Sequence, residues 1–162
     1  MGITYIIGDV IKESIACNHT TVIPHICNNK GAWGAGFVLA LSKVWKRPEN
    51  SYKRWYKSDT NFALGMCQAV KVEKDISVIN MVAQDGFPSK EKPVAVDYQA
   101  LETCLAKVNN WVNDRKKENK KGYIDIAMPR IGCGIGGGTW EVVESIINKT
   151  LTNQMVYVYS LK

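Results

Sequence analysis

Short continuous apolar runs alternate along this chain with longer stretches whose apolar residues recur at helical spacing. The runs at residues 3–7, 20–27, 65–72, 76–83, 123–127 and 155–159 are rich in Val, Ile, Tyr and Thr, and they predict six strands. The runs at 22–27, 76–83 and 123–128 are largely apolar throughout, as strands buried on both faces are. Pro24, inside the second run, predicts an edge position or an irregularity there. Helical spacing predicts a helix through Phe37, Leu41, Val44 and Trp45. Another opens at Pro48 with Tyr52, Trp55 and Tyr56 on one side. A long amphipathic helix places Leu101, Leu105, Val108 and Trp111 or Val112 on its buried stripe. A last helix begins at Trp140. Strands alternating with helices predict a three-layer α/β sandwich. No linker, repeat or low-complexity tract interrupts the 162 residues, so a single domain over 1–162 is expected.

Small residues gather at the strand exits. The most concentrated stretch is Met128-Pro129-Arg130-Ile131-Gly132-Cys133-Gly134-Ile135-Gly136-Gly137-Gly138-Thr139-Trp140, between the fifth predicted strand and the last helix. Strand, glycine loop and helix N-terminus together present backbone N–H groups to an anion. The alternative is a mobile surface loop, the commoner fate of a glycine cluster. A second small-residue loop, from Asn28 to Gly36, follows the second strand, Gly8-Asp9-Val10 follows the first, and Gln84-Asp85-Gly86 follows the fourth. In open α/β sheets ligands bind beyond the carboxyl ends of the strands, where all four segments lie. Two glycine loops and an acidic residue suit a nucleotide with a pyrophosphate. Gly132, Gly134 and Gly137 match the dinucleotide fingerprint only formally, because too little chain follows to complete its βαβ unit.

Charge and cysteine content narrow the classes. The net charge of +6 is concentrated around Lys43, Lys46, Arg47, Lys53, Arg54 and Lys57, and again at Arg115, Lys116, Lys117, Lys120 and Lys121. Such clusters favour anionic partners, nucleic acid included, although a solvated helix face accounts for them more simply. Five widely spaced cysteines without a Cys-x-x-Cys suit reduced thiols in a cytoplasmic protein. With only His19 and His25 available, no metal site is expected. No apolar run approaches a membrane span, the N-terminus has no signal-peptide pattern, and nothing demands more than a monomer.

Taken together, Gly8-Asp9-Val10, the segment His25-Ile26-Cys27-Asn28 leading to Trp33-Gly34-Ala35-Gly36, and Met128 to Gly134 resemble the macro domain family over essentially the whole chain. Within it the chain most resembles the short branch of ADP-ribose-1″-phosphate phosphatases and terminal ADP-ribose glycohydrolases. The resemblance implies a three-layer α/β/α sandwich with a mixed central sheet, an ADP-ribose ligand or a derivative such as ADP-ribose-1″-phosphate or ADP-ribosylated protein, and no cofactor. It implies that Asp9 contacts the adenine amino group, with Gly8 and Val10 beside it. Asn28 would meet the distal ribose. Trp33, Gly34, Ala35 and Gly36 would line the first loop, and Gly134, Ile135, Gly136, Gly137 and Gly138 would wrap the diphosphate. Each has an ordinary alternative: Asp9 as a helix cap or turn residue, Asn28 as turn chemistry, and Trp33 and Trp140 as core anchors.

The glycohydrolases of this branch imply a lysine at a strand end and an aspartate in the second loop. Here Val82-Ala83-Gln84 and Gly136 occupy those positions, so that mechanism does not carry over. The phosphatase-like members imply a histidine before the first loop and an aspartate elsewhere in the cleft, which points to His25 and Asp85, with Asn28 nearby. His25 would supply acid–base chemistry, and Asp85 would orient water or hold the imidazole. The alternatives are a buried strand histidine and an ordinary Asp-Gly turn. The expected activity is removal of the terminal phosphate. A non-catalytic binder of free or protein-linked ADP-ribose, a hydrolase of ADP-ribosyl or O-acetyl-ADP-ribose bonds without the lysine–aspartate pair, and a basic nucleic-acid-binding protein are the competing expectations.

Overall fold

The computed structural model describes residues 2–119 and 123–162, so Lys120 and Lys121 of the second basic cluster lie outside the described residues. The elements run β1 (Gly2–Ile7), α1 (Val10–Ala16), β2 (Thr21–Asn28), α2 (Phe37–Val44), α3 (Arg47–Ser58), β3 (Cys67–Glu73), β4 (Ile76–Gln84), α4 (Tyr98–Glu118), β5 (Asp125–Pro129), α5 (Trp140–Thr150) and β6 (Met155–Ser160). The six strands form one sheet in the order β1-β6-β5-β2-β4-β3. Every neighbouring pair is parallel except β3 with β4, which gives the expected mixed sheet.

Two apolar layers sandwich that sheet. On one face α4 and α5 bury Leu101, Leu105, Val108, Val112, Val143 and Ile147 against Ile79, Met81, Ile126, Met128 and Val156. The long-helix stripe is therefore completed by Val112, with Trp111 only packed against its edge. On the other face α1, α2 and α3 bury Val10, Ile11, Leu41 and Tyr52 with Trp33 against Ile23, Cys27, Val78 and Ala127. This is the three-layer α/β/α sandwich.

Two local outcomes differ from the sequence pattern. The second strand is not at an edge: β2 lies between β5 and β4 in the interior of the sheet. Pro24 marks an irregularity instead. The ladder from β2 to β5 pairs only Thr21 with Asp125 and Val22 with Ile126, ending ahead of the proline, which has no N–H to donate. Helix α1 has no counterpart in the sequence reading, because seven residues burying only Val10, Ile11 and Ser14 are too few to display a stripe.

The opening between β2 and β5 has a topological cause. The chain leaves β2 toward α2 on one face and leaves β5 toward α5 on the other, so the two exit loops part. A crevice at such a switch point, beyond the carboxyl ends of parallel strands, is the ordinary ligand position in this class of sheet.

Candidate functional site

A cavity of about 390 Å³ occupies that crevice. His25, Asn28 and Gln84 contribute from the strand ends, Trp33 to Val38 from the first loop and α2, and Arg130 to Gly132 with Gly134 to Gly136 from the second loop. Of the residues singled out in the sequence, His25, Asn28, Trp33, Gly34, Ala35, Gly36, Gly134, Ile135 and Gly136 meet around it. Gly8, Asp9, Val10, Asp85, Gly137 and Gly138 are not among its lining.

Asn28 builds the first loop from its own side chain. Its Oδ1 accepts from the Lys30 and Ala32 N–H groups at 2.8 and 3.2 Å, and its Nδ2 donates to the Ala32 carbonyl at 2.8 Å. Tyr52, fully buried beneath, donates its hydroxyl to the Asn28 carbonyl at 2.6 Å and accepts from the Gly31 N–H at 3.1 Å. Asn28 is thus turn chemistry as well as cavity wall, with one amide N–H left for a ligand. Trp33 is a core anchor, buried and donating Nε1–H to Ser42 Oγ at 2.7 Å. Gly36 has φ +84°, and a Cβ there would lie 3.2 Å from Ile135 Cδ1, so the two loops meet across the cavity at this point.

The second loop is docked on the segment before α4. Ala95 and Val96 N–H groups donate to the Gly136 carbonyl at 2.9 and 3.3 Å. A Cβ on Gly136 would fall 2.5 Å from Val96 Cγ2 and 3.2 Å from the Gly132 carbonyl oxygen. Gly137 and Gly138 face inward on the same seam, against Pro93 and Gly132, and so serve the loop's own packing. The absence of an aspartate or an aromatic at Gly136 follows from this packing. Gly136→Asp is accordingly expected to loosen the loop and weaken ligand binding rather than to create glycohydrolase turnover. Gain of ADP-ribosyl–carboxylate cleavage by that variant would contradict the packing argument.

Asp9 lies at the exit of β1, where Gly8 N–H donates to the Ser160 carbonyl at 2.8 Å and ties that exit to β6. Its Oδ1 caps α1, accepting from the Ile11 and Lys12 N–H groups at 2.9 and 3.2 Å. Val10 is 4% exposed and packs in the core layer of α1. With β6 alone between β1 and β5, Asp9 stands roughly 10 Å along the sheet edge from the cavity side of β5, at the usual strand spacing. A ligand reaching both must be elongated.

His25 and Asp85 do not form a pair. His25 is 2% exposed, on β2 opposite Asn80 of β4. Asn80 Nδ2 donates to the Pro48 carbonyl at 3.2 Å and to Gln68 Oε1 at 3.0 Å, so its Oδ1 is the acceptor toward His25 Nε2 at 2.6 Å. The imidazole therefore carries its proton on Nε2, and Nδ1 is buried without a hydrogen-bond partner. Burial lowers its pKa to about 4, with the Asn80 bond opposing only in part. The ring packs edge-on to Trp33 at 5.5 Å and near Phe37 at 6.0 Å. Asp85 instead pairs with Lys92 Nζ at 2.9 Å and accepts from Asn29 Nδ2 at 3.0 Å. Lys92 first, then Asn29, holds its carboxyl below the usual range. The expectation that Asp85 holds the imidazole is thereby corrected: burial leaves His25 neutral, and an amide orients it. Cys27 offers no thiolate, since burial pushes its pKa well up.

Two cavity residues carry chemistry that the sequence pattern did not bring forward. Phe87, 52% exposed on the loop after β4, contributes an aromatic face at the side where Gly136 has none. Arg130 is the one formally charged side chain among the lining residues. Neither had a local signal, because a lone Phe in a polar loop and an Arg after a strand become informative only once the loops converge.

A mixed sheet whose central crevice is walled by glycine backbone and carries one cation defines a binding domain for an elongated anionic ligand. No protein-family model matches the chain. A macrodomain protein from Streptomyces coelicolor is 37% identical and superposes with a TM-score of 0.78 over 98% of both chains. A protein of unknown function from Bacteroides thetaiotaomicron is 41% identical, with a TM-score of 0.88 over 98% of both. An ADP-ribose 1″-phosphate phosphatase of Candida albicans is 26% identical over 148 residues, covering 91% of this chain and 92% of the relative. The chain belongs to the macrodomain family.

Proposed function

We propose that this macrodomain binds ADP-ribose and hydrolyses ADP-ribose-1″-phosphate to ADP-ribose and phosphate. The observation that carries the proposal is the cavity held between Gly34–Gly36 and Gly134–Gly136 at the strand exits, on the same edge of the sheet as Asp9. The diphosphate lies between the loops, where Gly34, Gly36, Gly134 and Gly136 leave the backbone bare. The adenine extends toward Asp9, whose Oδ2 takes no part in the α1 cap bonds. The distal ribose reaches Asn28, Gln84 and Phe87. The Candida albicans relative, matched along nearly its whole length, is named for this reaction. The five unpaired cysteines support a cytoplasmic setting.

In the reaction, water attacks phosphorus, the bond from phosphorus to the 1″ oxygen breaks, and that oxygen gains a proton. At neutral pH His25 is no proton donor, because its one N–H is committed to Asn80. Its Nδ1 is an acceptor, which suits deprotonating the water or holding a hydroxyl once a ligand opens the pocket. The backbone N–H groups of the two loops stabilise charge on the phosphoryl oxygens.

A second reading, a non-catalytic ADP-ribose binder, is favoured by one specific observation: among the described residues no carboxylate lines the cavity. Calorimetry with ADP-ribose and phosphate release from ADP-ribose-1″-phosphate separate the two. Saturable binding with release at a rate lowered by His25→Ala is the expected result. Binding without release supports the binder. Absence of binding, with salt-sensitive oligonucleotide affinity, overturns both in favour of a nucleic-acid protein.

A further inference from the structure

We infer that Arg130 forms an anion subsite at the mouth of the cavity that takes a phosphate of the ligand and sets its selectivity for phosphorylated over neutral nucleosides. This inference deepens the ADP-ribose reading and rests on it. Arg130 directly follows β5, at the point where the exit loop turns toward the cavity, and it supplies that cavity's single formal charge.

The guanidinium is held by aromatic contacts and not by an ion pair. It lies 5.3 Å from the Tyr5 ring centroid and 5.1 Å from that of Trp140. Those two rings stand nearly perpendicular, at 76°, so the guanidinium sits in a corner and can be parallel to only one of them. The corner is itself braced: Trp140 Nε1–H donates to Tyr5 Oη at 3.0 Å, and the Tyr5 hydroxyl donates to Glu144. Aromatic faces attract a guanidinium without consuming its N–H donors, which lie in its plane. Among the described residues no protein acceptor receives a hydrogen bond from Arg130. A fork of five N–H donors, on a residue that lines the glycine-walled cavity, thus keeps its hydrogen-bonding edge unspent.

The chemistry that matches such a fork is a phosphate, which accepts two parallel N–H bonds. A carboxylate would match it equally, but the other polar side chains lining the cavity, His25, Cys27, Asn28 and Gln84, are uncharged and the loops add glycine backbone, as suits a diphosphate. The position between Asp9 at the β1 exit and Asn28 at the β2 exit agrees with a phosphate in the middle of the ligand. Tyr5, Trp140 and Glu144 are then positioning residues, acting through Arg130.

The test is titration calorimetry of the wild-type chain, Arg130→Gln and Arg130→Lys with ADP-ribose, adenosine and inorganic pyrophosphate, with thermal melting of each. The Arg130 side chain is exposed and makes no hydrogen bond, so loss of its aromatic contacts should lower the melting temperature of either variant by only a few degrees. Arg130→Gln is expected to lose roughly ten- to hundredfold in affinity for ADP-ribose, the scale of a lost charge-assisted pair, and to leave adenosine unaffected. Arg130→Lys should recover only part of the loss, having charge without the fork. Wild-type binding of ADP-ribose with equal binding by Arg130→Gln overturns the subsite and leaves the proposed function standing. Equal weakening toward adenosine places Arg130 against the base and also overturns it. If wild type ignores ADP-ribose, the function fails, while pyrophosphate binding lost in Arg130→Gln would still support the subsite; no binding of either ligand overturns both.

Discussion

Replacing Gly137 with alanine is expected to lower the melting temperature by roughly 6–12 °C and to abolish measurable ligand binding. Gly137 has φ +75°, in the left-handed region, and a Cβ there would fall 2.4 Å from the Pro93 carbonyl oxygen. That neighbour is backbone, so no rotamer change relieves the clash. Left-handed strain with a displaced peptide is an effect of about 3 kcal/mol. The damage spreads, because the adjacent Gly136 carbonyl receives the Ala95 and Val96 N–H groups that fix the second loop to the α4 entrance. Gly134→Ala is the matched control. Its Cβ would meet nothing within 4 Å and its φ is not positive, so it should melt with the wild type. Calorimetric melts of the pair decide the matter, and equal melting of Gly137→Ala and Gly134→Ala would refute the seam described for this loop.

The second large effect is one of pH. As pH falls from 6.5 toward 4, His25 is expected to remove about 3 kcal/mol of stability, at 1.36 kcal/mol per unit. Burial lowers its folded pKa to about 4, below the ordinary 6.5 of the unfolded chain. Within that window the unfolded chain holds the extra proton and the folded chain does not, so stability rises with pH. The contribution is fully present above pH 6.5, and no further loss from this group occurs below about 4. Urea unfolding at pH 7 and pH 4.5 should show a smaller drop for His25→Gln, which keeps an amide donor for Asn80 but cannot titrate. Parallel drops in wild type and variant would mean that the imidazole titrates normally and is not sealed between Trp33, Phe37 and Asn80. The same burial bears on catalysis, since an imidazole that stays neutral at pH 7 acts as an acceptor and not as an acid.

Much of the site was legible because its signals are local. Asn28 preceding Lys30-Gly31, and the glycines of both loops, announce turns and backbone exposure whatever their neighbours, and Asn28, Gly34, Gly36, Gly132, Gly134 and Gly136 do line the cavity. Asp9 was legible as a polar residue at a strand exit, but cap and ligand contact share one sequence signature. The structure displays the cap. His25 and Asp85 come together only through the resemblance to the phosphatase-like members, and the pairing fails because nearby Lys92 holds Asp85 while Asn80, on the neighbouring strand, holds His25.

Apolar runs and helical spacing determined the six strands, four of the five helices and the α/β layering, because periodicity records which faces must leave water, residue by residue. The glycine spacing likewise determined where backbone would be bare enough to approach an anion. Tertiary structure alone decided the strand order, and with it the interior place of β2 and the crevice between β2 and β5, since pairing joins residues a hundred positions apart. It decided that Gly136 cannot carry a side chain, because Val96 and Gly132 fill the space. It also decided that Arg130 is the cavity's one charge, because only convergence of the loops with Tyr5 and Trp140 gives that side chain its surroundings.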